Sequence, residues 1–168
     1  MKVVVFRAGE GTSPTPPPGV ATPDSSAERA RIWDRVRELR HTVFVDEQGV
    51  DAILEFDGLD GAAIHLALTD RDLVLGTTRI LMSGDVARVG RMAVEPSRRG
   101  KGLGSRLVRA ALGVARLQGA TEAVLHAQSH ARGFYEAMGF SAEGEVFEEA
   151  GIEHVTMRRV LAFTADPD

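Results

Sequence analysis

Hydrophobic and polar residues change their spacing several times along the chain, and each spacing predicts one type of secondary structure. The β-branched run at residues 2–6 predicts a short strand. From Ala27 onward, apolar residues recur every three or four positions, which predicts an amphipathic helix with Ser26 available as its N-terminal cap. The apolar positions of that helix are Ile32, Val36, Leu39 and Val43.

The centre of the chain changes to segments of strand length. Residues 62–69 and 73–81 flank a tight turn at Asp70-Arg71-Asp72, and this arrangement predicts two paired strands. Residues 87–94 predict a third strand, which ends before Pro96 because proline cannot continue the pairing.

The remaining part of the chain predicts two helices and three strands. They are a helix at 102–118 with one apolar face, a strand at 122–127, a short helix at 129–138, and a hairpin formed by 140–147 and 153–160. The order strand, helix, three strands, helix, strand, helix and two strands predicts a mixed sheet flanked by helices, which is an α/β (α+β) fold.

One segment follows neither pattern. Residues 9–26 are rich in Gly, Pro, Ser and Thr and contain Pro16-Pro17-Pro18, so we expect a loop insertion without helix or strand. The length of 168 residues suits one domain with its own core, and the predicted domain spans residues 1–168.

Composition excludes several classes of protein. The net charge of −4, with mixed signs, argues against nucleic acid and anionic membranes as partners. The chain has no Cys, so it offers no disulfide framework and no thiolate for zinc, and its five His residues show no metal-binding spacing. No apolar run approaches the length of a signal or transmembrane segment, and we expect a cytoplasmic protein without a metal.

The candidate ligand-binding feature is a basic, glycine-rich turn between the third predicted strand and the long helix. Its glycines leave the backbone accessible, and the first N–H groups of the following helix favour an anion. The glycines are Gly100, Gly102 and Gly104, and the positive charges are Arg98, Arg99 and Lys101. This combination predicts a phosphate-binding turn.

The turn differs from two better-known glycine loops. A Walker A loop needs Lys followed by Ser or Thr, but Gly102 follows Lys101. A dinucleotide fingerprint needs Gly-x-Gly-x-x-Gly, whereas the spacing here is Gly-x-Gly-x-Gly. The remaining motif is Arg99-x-x-Gly102-x-Gly104, and a glycine-rich turn without a ligand is the alternative interpretation.

Two motifs together resemble the GNAT N-acetyltransferase superfamily. Arg99-x-x-Gly102-x-Gly104 is similar to its acyl-CoA pyrophosphate loop, and Gln128-x-x-Ala131-x-x-x-Tyr135-x-x-x-Gly139-Phe140 is similar to its second signature. Gln128 stands where that family often has Asn. Segments between residues 32 and 158, including Arg37-x-x-Arg40 and Glu55-x-Asp57-x-x-Asp60, resemble the ElaA/YjcF-like branch.

The resemblance implies a GNAT fold, with a central mixed, mostly antiparallel sheet of about six to seven strands and about four helices. It implies that acetyl-CoA is the co-substrate and that Tyr135 is the general acid for the leaving thiolate. The oxyanion is expected to meet a backbone N–H near residues 92–94. The residues implied to bind the cofactor are Met92, Ala93, Val94, Arg99, Gly100, Lys101, Gly102, Leu103, Gly104, Ser105, Gln128 and Arg132.

The acceptor side is less well defined by the sequence. An ammonium acceptor must lose a proton, and the candidate bases are His65 and His154, each at a strand position off the face that its neighbours bury. Water, Glu47 and Glu55 remain alternatives for that role. The candidate substrate-binding residues are Glu47, Gln48 and Arg79, the first two because they follow the helix that borders the acceptor in GNAT folds.

We therefore predict an acyl-CoA-dependent N-acetyltransferase, an acyltransferase that transfers groups other than amino-acyl groups. The acetyl group of acetyl-CoA would pass directly to a primary amine of a small molecule or peptide. A non-catalytic acyl-CoA-binding regulatory module is the alternative, and the presence of Tyr135 argues against it. The segment from Arg40 to Phe44 loosely resembles an Arg-x-x-x-Phe-type N-terminal segment of acyl-homoserine lactone synthases. Those enzymes lack this glycine-rich loop, so this alternative ranks low. A homodimer is compatible with the sequence.

Overall fold

The computed structural model describes residues 1–9 and 11–161, so position 10 and residues 162–168 of the predicted domain lie outside the described residues. This part of the chain forms eight strands and four α-helices. The strands are β1 (Lys2–Phe6), β2 (Val20–Ala21), β3 (Ile64–Asp70), β4 (Leu73–Ser83), β5 (Val86–Val94), β6 (Glu122–Gln128), β7 (Ser141–Glu149) and β8 (Ile152–Val160). The helices are α1 (Ser26–Arg40), α2 (Ala52–Glu55), α3 (Leu103–Leu117) and α4 (Arg132–Ala137).

All the described strands belong to one mixed sheet in the order β2-β1-β3-β4-β5-β6-β8-β7. Neighbouring strands are antiparallel except for the pairs β1–β2 and β5–β6, which are parallel. The predicted GNAT fold, with a mixed and mostly antiparallel sheet and flanking helices, is confirmed. The described chain has eight strands, slightly more than the expected six to seven.

The proline-rich segment supplies the additional strand. We predicted neither helix nor strand for residues 9–26, but β2 lies in this segment and pairs with β1. Pro17 packs against α3, where a Cβ added to Gly113 would lie 3.2 Å from the proline ring. The prediction was wrong because a strand of two residues is too short to show an alternating pattern.

Two predicted helices differ in detail from the structure. Ser25, rather than Ser26, caps α1 and accepts a hydrogen bond from the N–H of Glu28 at 3.0 Å. α1 then continues into a π-helical segment, His41–Glu47, a conformation that is often found at functional sites. The helix predicted at 129–138 is divided into a 3₁₀ turn at Ser129–Ala131 and α4.

Helices cover both faces of the sheet. α3 buries Leu107 and Val114 against one face, and α1 packs Ile32 and Val36 against Phe6 on the other. Successive strand residues point to opposite faces, so each strand contributes to both apolar layers. None of the described helices is long and apolar enough to cross a membrane.

The sheet opens between β5 and β6. These parallel strands form three residue pairs, of which the last joins Arg88 and Val124. Beyond it, β5 continues along β4 to Val94, while β6 continues along β8 to Gln128. The facing edges of the two strands therefore have no strand partner within the described chain, and this opening positions the candidate site.

Candidate functional site

An open cavity of about 1530 Å³ lies where β5 and β6 separate. The predicted site residues that line it are Glu47, Gln48, Arg79, Met92, Ala93, Val94, Arg99, Gly100, Gly102, Leu103, Gly104, Ser105, Gln128, Tyr135 and His154. His65, Lys101 and Arg132 are not among the lining residues. Arg132 instead donates from Nε to Glu136 at 2.9 Å along α4.

The glycine-rich turn forms an open cradle at the start of α3. Gly102 is the N-cap residue, with φ of 78°, and Gly100 has φ of 75°, both in the left-handed region that glycine adopts without strain. No side chain caps the helix, so within the described chain its first N–H groups remain available at the cavity. A Cβ on Gly104 would lie 3.3 Å from the ring of Phe134, so this glycine allows α4 to approach α3. The cradle fits a phosphate or pyrophosphate group.

The edge of β5 is a second open feature of the cavity. Arg91 has φ of 52°, and the pairing with β4 shifts register nearby, between Thr77 and Arg79. Such an irregularity bends a strand and re-aims its backbone. Met92 to Val94 follow the bend and line the cavity, where an extended ligand with amide groups can pair as an additional strand.

Two side-chain pairs connect the end of the π-helical segment to the cofactor side of the cavity. Arg99 donates from Nη1 and Nη2 to the two carboxylate oxygens of Glu47, at 2.6 and 2.8 Å, and this hydrogen bonding lowers the pKa of Glu47. Gln128 donates from Nε2 to Oε1 of Gln48 at 2.8 Å. Glu47 and Gln48, which we predicted to bind the acceptor, thus contact Arg99 and Gln128, which we predicted to bind the cofactor. The guanidinium of Arg99 already forms an ion pair with Glu47.

Tyr135 lies at the wall of the cavity, packed between two aromatic rings. Its ring packs edge-on against Phe134 and Phe140, with centroid distances of 4.9 and 5.8 Å. The residue is 8% exposed, and burial raises the pKa of Tyr135 to about 12. The hydroxyl therefore keeps its proton at neutral pH and can act as a donor.

His154 faces the cavity from β8, opposite Gln128 on β6. Its Nδ1 lies 2.7 Å from the carbonyl oxygen of Ile152, which can only accept, so Nδ1 carries the proton. In the neutral ring, Nε2 then has a free lone pair, and it lies 3.8 Å from a carboxylate oxygen of Glu149. This is the geometry of a base that is held in one tautomer.

His65 lies on the sheet face that α1 covers. Strand alternation correctly placed it off the face that its neighbours bury, but the opposite face is buried too. Its ring lies 4.6 Å from that of Trp33 and 5.6 Å from that of Phe6, and the residue is 1% exposed. Nε2 donates to the carbonyl oxygen of Asp60 at 3.0 Å, and burial lowers the pKa of His65 to about 4. The structure thus does not bring His65 to the cavity.

Arg79 lines the cavity, but carboxylates already bind its guanidinium. Nη1 and Nη2 each donate to Asp57 at 2.9 Å, and Nη1 also donates to Asp60 at 3.1 Å. Burial alone would raise the pKa of Asp57, but hydrogen bonds and charge from Arg79 lower it to about 2. The complete ionic network consists of Arg40, Arg79, Arg91, Glu55, Asp57 and Asp60. Arg79 therefore fixes the loop that follows α2 to the sheet rather than presenting a free charge to a substrate.

His126 and Glu149 also line the cavity, although neither is among the candidate residues predicted from the sequence. His126 lies two positions before Gln128 on β6, so strand alternation could have found it. Its Nδ1 is 3.2 Å from Oε1 of Glu149. Glu149 could not be placed from alternation, because the pairing of β7 with β8 shifts register between Glu143 and Phe147. Among the described residues, no group of three or more His, Cys, Asp or Glu side chains has metal-binding geometry.

Comparisons with known proteins identify the family. The family model described as an acetyltransferase (GNAT) domain matches residues 22–161. ElaA of Escherichia coli (strain K12) is 34% identical over 127 residues, which cover 73% of this chain and 83% of ElaA. The uncharacterized N-acetyltransferase YjcF of Bacillus subtilis (strain 168) is 33% identical over 122 residues, which cover 72% of this chain and 87% of YjcF. The crystal structure of an acyl-CoA N-acyltransferase from Pseudomonas aeruginosa matches with a TM-score of 0.76 and 28% identity, over 95% of this chain and 100% of that one. The motifs around Gly102 and Tyr135 thus predicted the family correctly, and the chain belongs to the GNAT acetyltransferases.

Proposed function

We propose that this protein transfers an acetyl group from acetyl-CoA directly to a primary amine of a small molecule or peptide. The observation that carries this proposal is one cavity that combines three features: the uncapped start of α3, the unpaired edge of β5, and the protonated side chain of Tyr135. An anion site, a strand edge and a proton donor suit the three parts of an acyl-CoA: its pyrophosphate, its amide-bearing arm and its thioester.

The cofactor would be held mainly by main-chain groups. The N–H groups of residues 100–105 suit the pyrophosphate, and the backbone of residues 92–94 suits the amides of the pantetheine arm. Gln128 would contact the same arm once its hydrogen bond to Gln48 is replaced by a hydrogen bond to the arm. Lys101 and Arg132 lie outside the cavity lining, so we assign them only a long-range contribution of positive charge.

The chemical roles follow from the states of the side chains. Tyr135 would give its hydroxyl proton to the leaving thiolate, and the packing of its ring against Phe134 and Phe140 orients the side chain. A backbone N–H of residues 92–94 would stabilise the developing oxyanion. His154, rather than His65, would accept the proton of the acceptor, because His154 lines the cavity with a free Nε2, whereas His65 does not line the cavity.

The comparisons support the reaction class. The structure from Pseudomonas aeruginosa is called an acyl-CoA N-acyltransferase, and the Bacillus subtilis relative is called an N-acetyltransferase. Both names specify transfer to nitrogen, which agrees with a site that contains a candidate base for an ammonium group.

The test is the release of free thiol from acetyl-CoA in the presence of a panel of primary amines, lysine-containing peptides and alcohols. We expect release above background with primary amines or peptides, together with the matching acetylated product in mass spectrometry. Binding of acetyl-CoA in calorimetry without release by any acceptor would contradict the proposal and favour the non-catalytic acyl-CoA-binding module.

A further inference from the structure

The carboxylates that line the cavity differ in their partners. They are Glu47, Glu55, Asp57, Glu122 and Glu149. Four of them form ion pairs with arginine: Glu47 with Arg99, Glu55 with Arg40 and Arg91, Asp57 with Arg79 and Arg91, and Glu122 with Arg158. Glu149 is the cavity carboxylate whose ion-pair partners in the described chain are imidazoles alone.

Glu149 lies between two histidines at the end of β7. One carboxylate oxygen is 3.2 Å from Nδ1 of His126, and the other is 3.8 Å from Nε2 of His154. Phe147 packs against both rings, with centroid distances of 5.0 Å to His126 and 6.0 Å to His154. The aromatic ring thus fixes the two imidazoles on either side of a carboxylate that is half exposed to the cavity.

The environment of the Glu149 carboxylate favours the binding of a cation. Imidazoles, unlike guanidinium groups, carry no permanent positive charge, so Glu149 lacks the fixed cation that pairs with each of the other carboxylates of the cavity. Arg158, the cation on the same face of β8, donates to Glu143 at 2.8 Å and lies 2.7 Å from Glu122, so it does not compete for Glu149. An ammonium group has three donors and no acceptor, which complements a carboxylate beside an imidazole lone pair.

We infer that Glu149 binds the ammonium group of the acceptor and holds it next to Nε2 of His154. This inference rests on the proposed acetyl transfer and adds the residue that recognises the acceptor. In the step that follows, one proton moves from the ammonium nitrogen to Nε2 of His154. The acceptor becomes a neutral amine with a free lone pair, and the resulting imidazolium is stabilised by Glu149. His126 positions the carboxylate from the other side.

The test compares Glu149→Gln with Glu148→Gln, its neighbour on the same strand. Glu148 is exposed and does not line the cavity, so the two variants lose the same charge but only one loses the site. In Glu149→Gln, loss of one charged hydrogen bond should raise KM for a primary alkylamine by about 10- to 100-fold. Acetyl-CoA affinity should stay unchanged, and Glu148→Gln should behave as the wild type. Equal KM values in the two variants would overturn the inference.

A binding measurement separates this inference from the proposed reaction. Benzylamine and a lysine-containing peptide are titrated separately into the protein with coenzyme A, and the ring signals of His126 and His154 are followed by NMR. A shift in the wild type and in Glu148→Gln, but not in Glu149→Gln, supports the ammonium site, and the effective probe identifies the source of the ammonium. No shift with either probe in the wild type, or an equal shift in Glu149→Gln, would overturn it. A normal shift without any turnover would contradict only the proposed function.

Discussion

At the scale of single residues, His65 makes stability depend on pH. Its pKa falls from 6.5 to about 4 because the ring is buried, so between these values the unfolded chain binds a proton that the folded chain does not. Stability should therefore fall as the pH falls through this window, by at most about 3 kcal/mol from this group. His65→Gln keeps an N–H donor but removes the titration, so its stability should depend less on pH. Urea unfolding at several pH values measures this difference. If the free energy of unfolding changed equally with pH in the wild type and in His65→Gln, the low pKa of His65 would be contradicted.

At the scale of secondary-structure elements, the start of α3 carries the predicted cofactor site. Gly102 and Gly119 lie at the two ends of this helix with φ of 78° and 87°, and an added Cβ would meet nothing within 4 Å at either position. Gly102→Ala and Gly119→Ala should each cost about 1–2 kcal/mol of stability through left-handed strain. Only Gly102→Ala should weaken acetyl-CoA binding in calorimetry, by about 10-fold or more, because only Gly102 lines the cavity. Equal affinity in the two variants would place the pyrophosphate elsewhere.

The elements also show what could be predicted from the sequence. Long periodic segments such as α3 and β4 appear at nearly the expected positions, since many residues contribute to each pattern. The glycine-rich turn could be singled out as a candidate because its glycines and basic residues are contiguous. The two-residue β2 and the π-helical turn at His41–Glu47 were missed because pairing and packing, rather than local composition, determine them. For the same reason, strand alternation showed on which face of the sheet His65 lies, but it could not show that α1 covers that face.

At the scale of the whole molecule, a largely buried ionic network joins α1, α2 with the loop that follows it, and the sheet. Asp60 binds Arg40 at 2.8 Å and Arg79 at 3.1 Å, and the side chain of Arg40 is 1% exposed. Asp60→Asn would leave buried guanidinium charge partly uncompensated, at a cost of about 3 kcal/mol. For a chain of this size, this corresponds to a fall in Tm of about 6 to 12 °C. Asp34→Asn, which removes an exposed partner of Arg37, should change Tm by at most about 4 °C. Similar Tm values for both variants would contradict a structural role for the network.

Long-range contacts also explain why the sequence defines the acceptor side less well than the cofactor side. Glu47 and Arg99 are distant in sequence, as are Gln48 and Gln128, yet both pairs meet at the cavity. Arg79 looked available for a substrate because the sequence does not show that Asp57 and Asp60 bind it. Which carboxylate of the cavity has no arginine partner within the described chain, here Glu149, depends on all these pairings together.

The measurement that tests the central claim most directly is the effect of Tyr135→Phe on catalysis and on cofactor affinity. The substitution removes only the hydroxyl, and the ring can keep its contacts with Phe134 and Phe140. If Tyr135 protonates the leaving thiolate, kcat with acetyl-CoA and a primary amine should fall by about 100-fold or more, while the Kd of acetyl-CoA stays nearly unchanged. An unaltered kcat at every pH would show that Tyr135 serves only in packing, and would contradict the account of how this cavity transfers an acetyl group.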